Sequence, residues 1–307
     1  MSGYMAGILA ILSINLIFAY GIYLSVASGQ LNLGGAGFQA IGAYAAGWLS
    51  ASLDAPLVVT IAAGALVAGL FGAGLAFPIL RTKGVYLVLA TFAFAEVVAG
   101  VILNSDTLGG AMGLSVPAWI DWQVPVILAI IVTLFVFYLM STRFGLTIRA
   151  IHDDPEVTDL MGVSIRAVKV SAFAIGAALA GLSGALYAHT FSFVEAQNFN
   201  ALLSIYVLLY VLLGGTQTPW GPIAGVAFFT LLPELLRDSL PALQGFVLET
   251  VGMTGSFNPP DESWRFVILG VLTVLMMVFR PEGLITRTMI DRVRFRRPAA
   301  VAKEAVE

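Results

Sequence analysis

The sequence has no cysteine, which excludes disulfides, thiolate metal sites and a cysteine nucleophile. Histidine is nearly absent. His152 and His189 are the only two, and no His/Glu cluster has metal-ligand spacing. Charge is scarce as well: Asp, Glu, Lys and Arg make up 11% of the 307 residues, against about 25% in an ordinary soluble domain. The net charge of −3 offers nothing to a nucleic acid. There is no G-x-x-x-x-G-K-S/T phosphate loop, no G-x-S-x-G elbow and no H-E-x-x-H helix. No metal or cofactor is expected on this chain. Any uphill transport must draw its energy from a partner or from an ion gradient.

What is present is apolar. The hydrophobic fraction is 59% and the mean hydropathy +0.94, the composition of a polytopic integral membrane protein. A bilayer core needs about 20 apolar residues per helix. Nine segments serve: 4–27, 33–53, 57–80, 85–103, 124–140, 170–190, 201–213, 222–236 and 265–279. The expected fold is therefore all-α. The first segment is longer than the apolar region of a signal peptide and lacks a basic flank, so it reads as a retained span. The seventh and eighth are short and meet at "GGTQTPWGP" (214–222). They form either two spans or one broken, re-entrant hairpin.

Lys and Arg set the orientation. Alternate connections carry Arg81 and Lys83; then Arg143, Arg149, Arg166 and Lys169; then Arg280, Arg287, Arg292, Arg294, Arg296, Arg297 and Lys303. These are 13 of the 15 basic residues. The opposite side holds Arg237 and Arg265, among Asp238, Glu249, Asp261 and Glu262. The N-terminus is thus expected outside and the C-terminus in the cytoplasm. One transmembrane domain spans 1–290, with a cytoplasmic loop at 141–169, an outer segment at 237–264 and a tail at 291–307. All five tryptophans fall near span ends, where they suit interfacial anchoring.

Three polar features interrupt the apolar pattern. "SGQLNLGGAGFQAIGAY" (28–44) crowds glycines beside Asn32 and Gln39. Such glycines serve a broken helix facing a solute path or tight helix packing. Glu96 is the one carboxylate well inside a span, a functional candidate by default and equally a hydrogen-bonded structural residue. Asn32, Gly34, Gly35, Gln39, Tyr44, Thr91 and Glu96 are the candidate path residues. His189 sits at an outer span end and reads as interfacial.

The third feature is the charged island "IRAIHDDPEVTDLMGVSIRAVK" (148–169). Asp154 is a good N-cap, Pro155 suits the first helical position, Glu156 favours the positive end of the dipole, and Gly162 suits the position after the helix. Val157, Leu160 and Met161 have i, i+3, i+4 spacing and make one apolar face. So short a helix is marginal alone. It docks either on its own membrane domain or on a cytoplasmic partner. The flanks, around Arg149 and from Arg166 to Lys169, read as ordinary cytoplasmic charge.

Several ordered blocks resemble the inner-membrane permeases of branched-chain amino acid ABC transporters, the LivH/LivM type and closer to LivM. They are "LNLGGAGFQAIGAY" (31–44), "RTKGVYLVLATFAFAEVV" (81–98), "GGAMGLSVP" (109–117), residues 145–188, "LLGGTQTPWGPIAG" (212–225), "LLPELLR" (231–237) and "FRPEGL" (279–284). The resemblance implies an ABC importer permease fold in a bacterial inner membrane and a transport subunit rather than an enzyme. It implies a second permease (LivH-like, or a self copy), two ATP-binding subunits that use ATP and Mg, and a periplasmic solute-binding protein. It assigns Asp153, Asp154, Pro155, Glu156, Val157, Asp159, Leu160, Met161 and Gly162 to a coupling helix that inserts into the ATPase. The solute implied is a branched-chain amino acid or a related small polar molecule. The chain departs from many relatives at Gly35, at His152, at Val157-Thr158 and in a longer 238–265 stretch. An ion-coupled carrier with Glu96 as its ion site is the rival reading.

Overall fold

The structure, a computed structural model, describes residues 3–82, 84–251, 264–280 and 283–286. Lys83, the 252–263 part of the outer segment, and the basic tail from Arg287 to Lys303 lie outside the described residues. The described chain is almost wholly helical, as it must be where no water can satisfy backbone groups.

All nine expected segments are helices. They are α1 (Gly3–Ala27), α2 (Gly35–Leu53), α3 (Leu57–Ile79), α4 (Val85–Leu103), α5 (Gln123–Ser141), α8 (Ile165–Phe191), α9 (Ala201–Gly214), α10 (Trp220–Val251) and α11 (Trp264–Phe279). Between α5 and α8 lie α6 (Arg143–Asp153) and α7 (Pro155–Leu160). Five of the helices are long and apolar enough to cross a membrane alone: α1, α3, α4, α5 and α8.

Glycine-rich α2 is not among those five. It lies inside the bundle with Ala36, Phe38 and Ala40 fully buried, packed on α8 and α3. Small residues make that approach possible. A Cβ on Gly42 would overlap the backbone of Gly181 in α8, and one on Gly184 would overlap the carbonyl of Gln39. Gly64 of α3 approaches the same crossing, where a Cβ would sit 2.7 Å from the Gly42 carbonyl oxygen. α8 is thus the central post, held by α1, α2 and α3.

The junction of the seventh and eighth segments is a helical hairpin. Gly214 of α9 faces Gly221 of α10, and Tyr210 faces Gly225, the pairing of antiparallel helices. Gly215 makes the turn at φ 114°. α10 then runs unbroken for 32 residues, so much of the expected outer segment begins as helix. α9 has 14 residues and rises about 21 Å, short of a bilayer core of about 30 Å. The chain before it reaches into the bundle through irregular structure: β2 (Phe193–Val194) and a 3-10 turn at Ala196–Phe199. β2 pairs antiparallel with β1 (Leu114–Ser115), Leu114 opposite Val194.

Contacts sort the connections into two ends. At one end, Gly29 meets His152, a common cavity joins Thr82 to Pro155 and Arg166, and Leu284 N–H donates to the Leu213 carbonyl at 2.7 Å. At the other, β1 meets β2 and the 116–120 stretch bonds to Ser192 and His189. Arg81, Arg143, Arg149, Arg166, Lys169 and Arg280 all belong to the first end, as the alternation of basic connections requires.

Candidate solute path and coupling surface

The 28–34 stretch is a break between helices, and the break is packed. Helix α2 begins beside α4 and α9, so its first N–H groups need partners there. Asn32 Oδ1 accepts from Gly34 N–H at 2.8 Å, Thr91 Oγ1 from Leu33 N–H at 3.1 Å, and Ser204 Oγ from Ala36 N–H at 2.8 Å. Asn32, Thr91 and Ser204 are all buried. The structure thus brings Asn32, Gly34 and Thr91 together as the cap of α2. Ser204 completes the cap. Nothing in its apolar surroundings, "LLSIYVLLY", marks it out in the sequence.

The other path candidates go elsewhere. Gly35 faces Phe18 and Ile22, whose side chains fill the space a larger residue would need. Gln39 is buried, and its Oε1 has no hydrogen-bond partner among the described residues. The Tyr44 hydroxyl donates to the Val194 carbonyl at the far end, at 3.3 Å. Glu96 lies about 16 Å along α4 from Val85 and turns to α9. Its Oε1 accepts from Ala201 N–H at 3.1 Å, while Asn200 Oδ1 accepts from Leu203 N–H. Two first-turn donors of α9 are so satisfied, and a carboxylate sits at the positive end of that helix. Glu96 as a residue nevertheless remains exposed, as do Leu202 and Tyr206 of α9.

His189, at the end of α8, turns into the protein. It is fully buried. Nδ1 donates to the Ala118 carbonyl at 2.8 Å, and Nε2 lies 2.8 Å from Thr60 Oγ1. It ties the start of α3 and the 116–120 stretch to α8. Burial by segments far apart in sequence decides this, and a span-end position cannot reveal it.

The island folds into three parts. α6 carries Phe144, Ile148 and Ile151 at i, i+4, i+7 on one face; Ile148 and Ile151 are buried. Arg149, on α6, donates to the Met140 carbonyl at 3.3 Å, so it holds α6 against the end of α5 instead of standing as loose charge. α7 has the expected caps. Asp154 Oδ1 accepts from Glu156 and Val157 N–H at 3.0 and 3.1 Å, and Gly162 takes φ 78°. α7 rests on its own protein through buried Thr158. Its apolar face points away: Val157 is 54%, Leu160 87% and Met161 80% exposed. Finally, Arg166 and Lys169 belong to the first turns of α8, not to a loop.

No metal-binding cluster of His, Cys, Asp and Glu occurs among the described residues. Residues 4–277 match the family described as branched-chain amino acid transport system / permease component. The chain is 29% identical to the high-affinity branched-chain amino acid transport system permease protein LivM of Escherichia coli, over 91% of this chain and 68% of that protein. It is 29% identical to the LivM protein of Salmonella typhimurium, over 85% and 65% respectively. A probable LivM of Methanocaldococcus jannaschii is 24% identical over 75% of this chain and 68% of its own. The chain therefore spans about two thirds of the length of these relatives. No solved structure matches it. Apolar helices around a buried, glycine-packed α2, a break at 28–34 and a match along most of the sequence lead to one conclusion: the chain belongs to the family of permease components of branched-chain amino acid transport systems, which are transport subunits and not enzymes.

Proposed function

We propose that this chain is the membrane subunit of an ATP-driven importer of branched-chain amino acids or a related small polar solute. It sits in a bacterial inner membrane with its N-terminus outside and its C-terminus in the cytoplasm. It works with a second permease, two ATP-hydrolysing subunits and a periplasmic binding protein. The observation that carries this reading is the outward apolar face of α7. Burying a side chain such as Leu160 or Met161 contributes about 1.5–3 kcal/mol, and a capped helix presenting both to solvent is suited to a partner's groove. Nucleotide binding in that partner then favours one permease conformation over another, as any ligand with unequal affinity does.

We place the path on the α4–α9 face. A carboxylate at membrane depth faces protein or water and not lipid. Glu96 is exposed on the single chain, so this face belongs against the second permease or the solute. Asn32 and Thr91 act behind it, as caps.

The test is Leu160→Asp in the assembled transporter. Substrate-stimulated ATP hydrolysis should fall at least tenfold while membrane insertion is unchanged. Normal stimulation in an intact complex would rule the docking role out.

A further inference from the structure

Glu96 carries a carboxylate that the rest of the chain leaves half used. Its Oε1 accepts from Ala201 N–H at 3.1 Å. No other bond reaches that carboxylate among the described residues, and the residue is exposed. Lipid does not meet the second oxygen, because an acid at membrane depth faces protein or water. The chain just before α9 says the same of this face on separate grounds. The 3-10 turn at Ala196–Phe199 packs on α4, and Gln197 in it and Asn200 after it are exposed. Non-helical backbone with bare amides is kept from lipid and occurs at membrane depth only under protein or along water.

Charge decides what meets Glu96. The first eight apolar segments hold no Lys or Arg, and Arg265 stands at the very start of the ninth. A second copy of this chain therefore has no cation to place at that depth. The histidines are engaged elsewhere: His189 with Thr60 and Ala118, His152 at the basic end beside Gly29. A neutral donor would satisfy the oxygen and leave its charge uncompensated where the dielectric is low, which is costly. A metal cation needs several ligands, and Glu96 belongs to no cluster of His, Asp and Glu among the described residues. An ammonium group answers both needs. It carries three N–H donors and a full positive charge, and it pairs with a carboxylate through short, charge-assisted bonds.

We infer that Glu96 recognises the ammonium group of the solute with the oxygen that α9 leaves free. The inference rests on the import function and the α4–α9 path proposed above, and it narrows them. A solute carrying an amine is selected, and an analogue in which the amine is replaced is not. One carboxylate thus holds the start of α9 with one oxygen and selects the solute with the other.

The experiment uses the assembled transporter in detergent, without nucleotide or binding protein, and saturation-transfer NMR to follow weak binding. The probes are leucine and 4-methyl-2-oxopentanoate, the same skeleton with a keto oxygen in place of the amine. Leucine should bind tighter by about tenfold or more. Glu96→Gln keeps an acceptor for Ala201 N–H, so its melting temperature should be unchanged while the preference for leucine vanishes. Glu96→Asp keeps the charge and should restore part of the preference. Leucine uptake and the ATP hydrolysis it stimulates should fall together in Glu96→Gln, because binding of the solute is what fails. A preference that survives Glu96→Gln overturns the inference, as does a wild type that binds the two probes alike. Loss of the second permease from Glu96→Gln, with the preference kept, gives the carboxylate to subunit pairing and overturns it too. A wild-type complex with no ATP-driven leucine uptake is a separate result, which counts against the proposed function itself.

Discussion

The Glu96 carboxylate accepts a hydrogen bond from the backbone N–H of Ala201 at 3.1 Å, across 105 positions of sequence. The bond joins α4 to the beginning of α9 at membrane depth. It gives this acid a structural duty whether or not solute touches it. This bears directly on the ion-coupled rival, in which Glu96 must take up and release an ion.

Glu96→Gln keeps an acceptor oxygen, so helix α9 should stay capped and uptake should continue to track ATP hydrolysis. Glu96→Ala removes the acceptor and should cost about 1 kcal/mol, up to about 2, as loss of a cap does. Uptake and melting temperature of the two variants in the assembled transporter check this. Abolished uptake in Glu96→Gln with normal ATPase activity would favour the ion-coupled carrier.

The helix crossing at α2 and α8 should tolerate no side chain. Gly184→Ala drives a methyl group into the Gln39 carbonyl, and overpacking of this kind costs about 1–3 kcal/mol or more. Gly74→Ala is the matched control, in a helix with nothing within 4 Å of the added carbon. It should be neutral or stabilise by up to about 1 kcal/mol. Thermal unfolding in detergent separates them, and similar melting temperatures would contradict the tight crossing.

Asp154 caps α7 with one oxygen serving two N–H groups. Asp154→Ala should weaken that short helix by about 1 kcal/mol and lower substrate-stimulated ATPase activity. Asp154→Ser, which restores a capping oxygen, should recover most of it. If Ser fails to rescue, the charge and not the cap is what α7 needs.

Thr60→Val removes the hydroxyl beside His189 Nε2 while keeping the shape. It leaves a buried ring nitrogen without its partner and should cost about 1–3 kcal/mol. His189→Ala should cost at least as much. Melting temperatures are the measurement, and an unchanged Thr60→Val would show that the contact contributes nothing.

Some of this molecule was open to reading along the chain. Asp154, Pro155, Glu156 and Gly162 identify α7 because capping is local: each residue acts on N–H and C=O groups within four positions of itself. Val157, Leu160 and Met161 share a face for the same reason. Which way that face points was not legible, because it depends on whether Thr158 or Leu160 meets the rest of the bundle. Ser204, Thr60 and Ala118 left no trace for a related reason. Their roles are defined by partners at sequence separations of 168, 129 and 71.

By itself, the sequence determined the class of molecule. Transfer of about 20 apolar residues into a bilayer is decided segment by segment, so composition and length suffice for nine helices, and basic connections suffice for which ends lie together. Only the tertiary structure decided what the polar residues do. It turned Asn32 and Thr91 into caps, set Glu96 against α9 and buried His189. The physical reason is that a polar group inside an apolar medium is governed by the partner it finds, and here that partner comes from another helix.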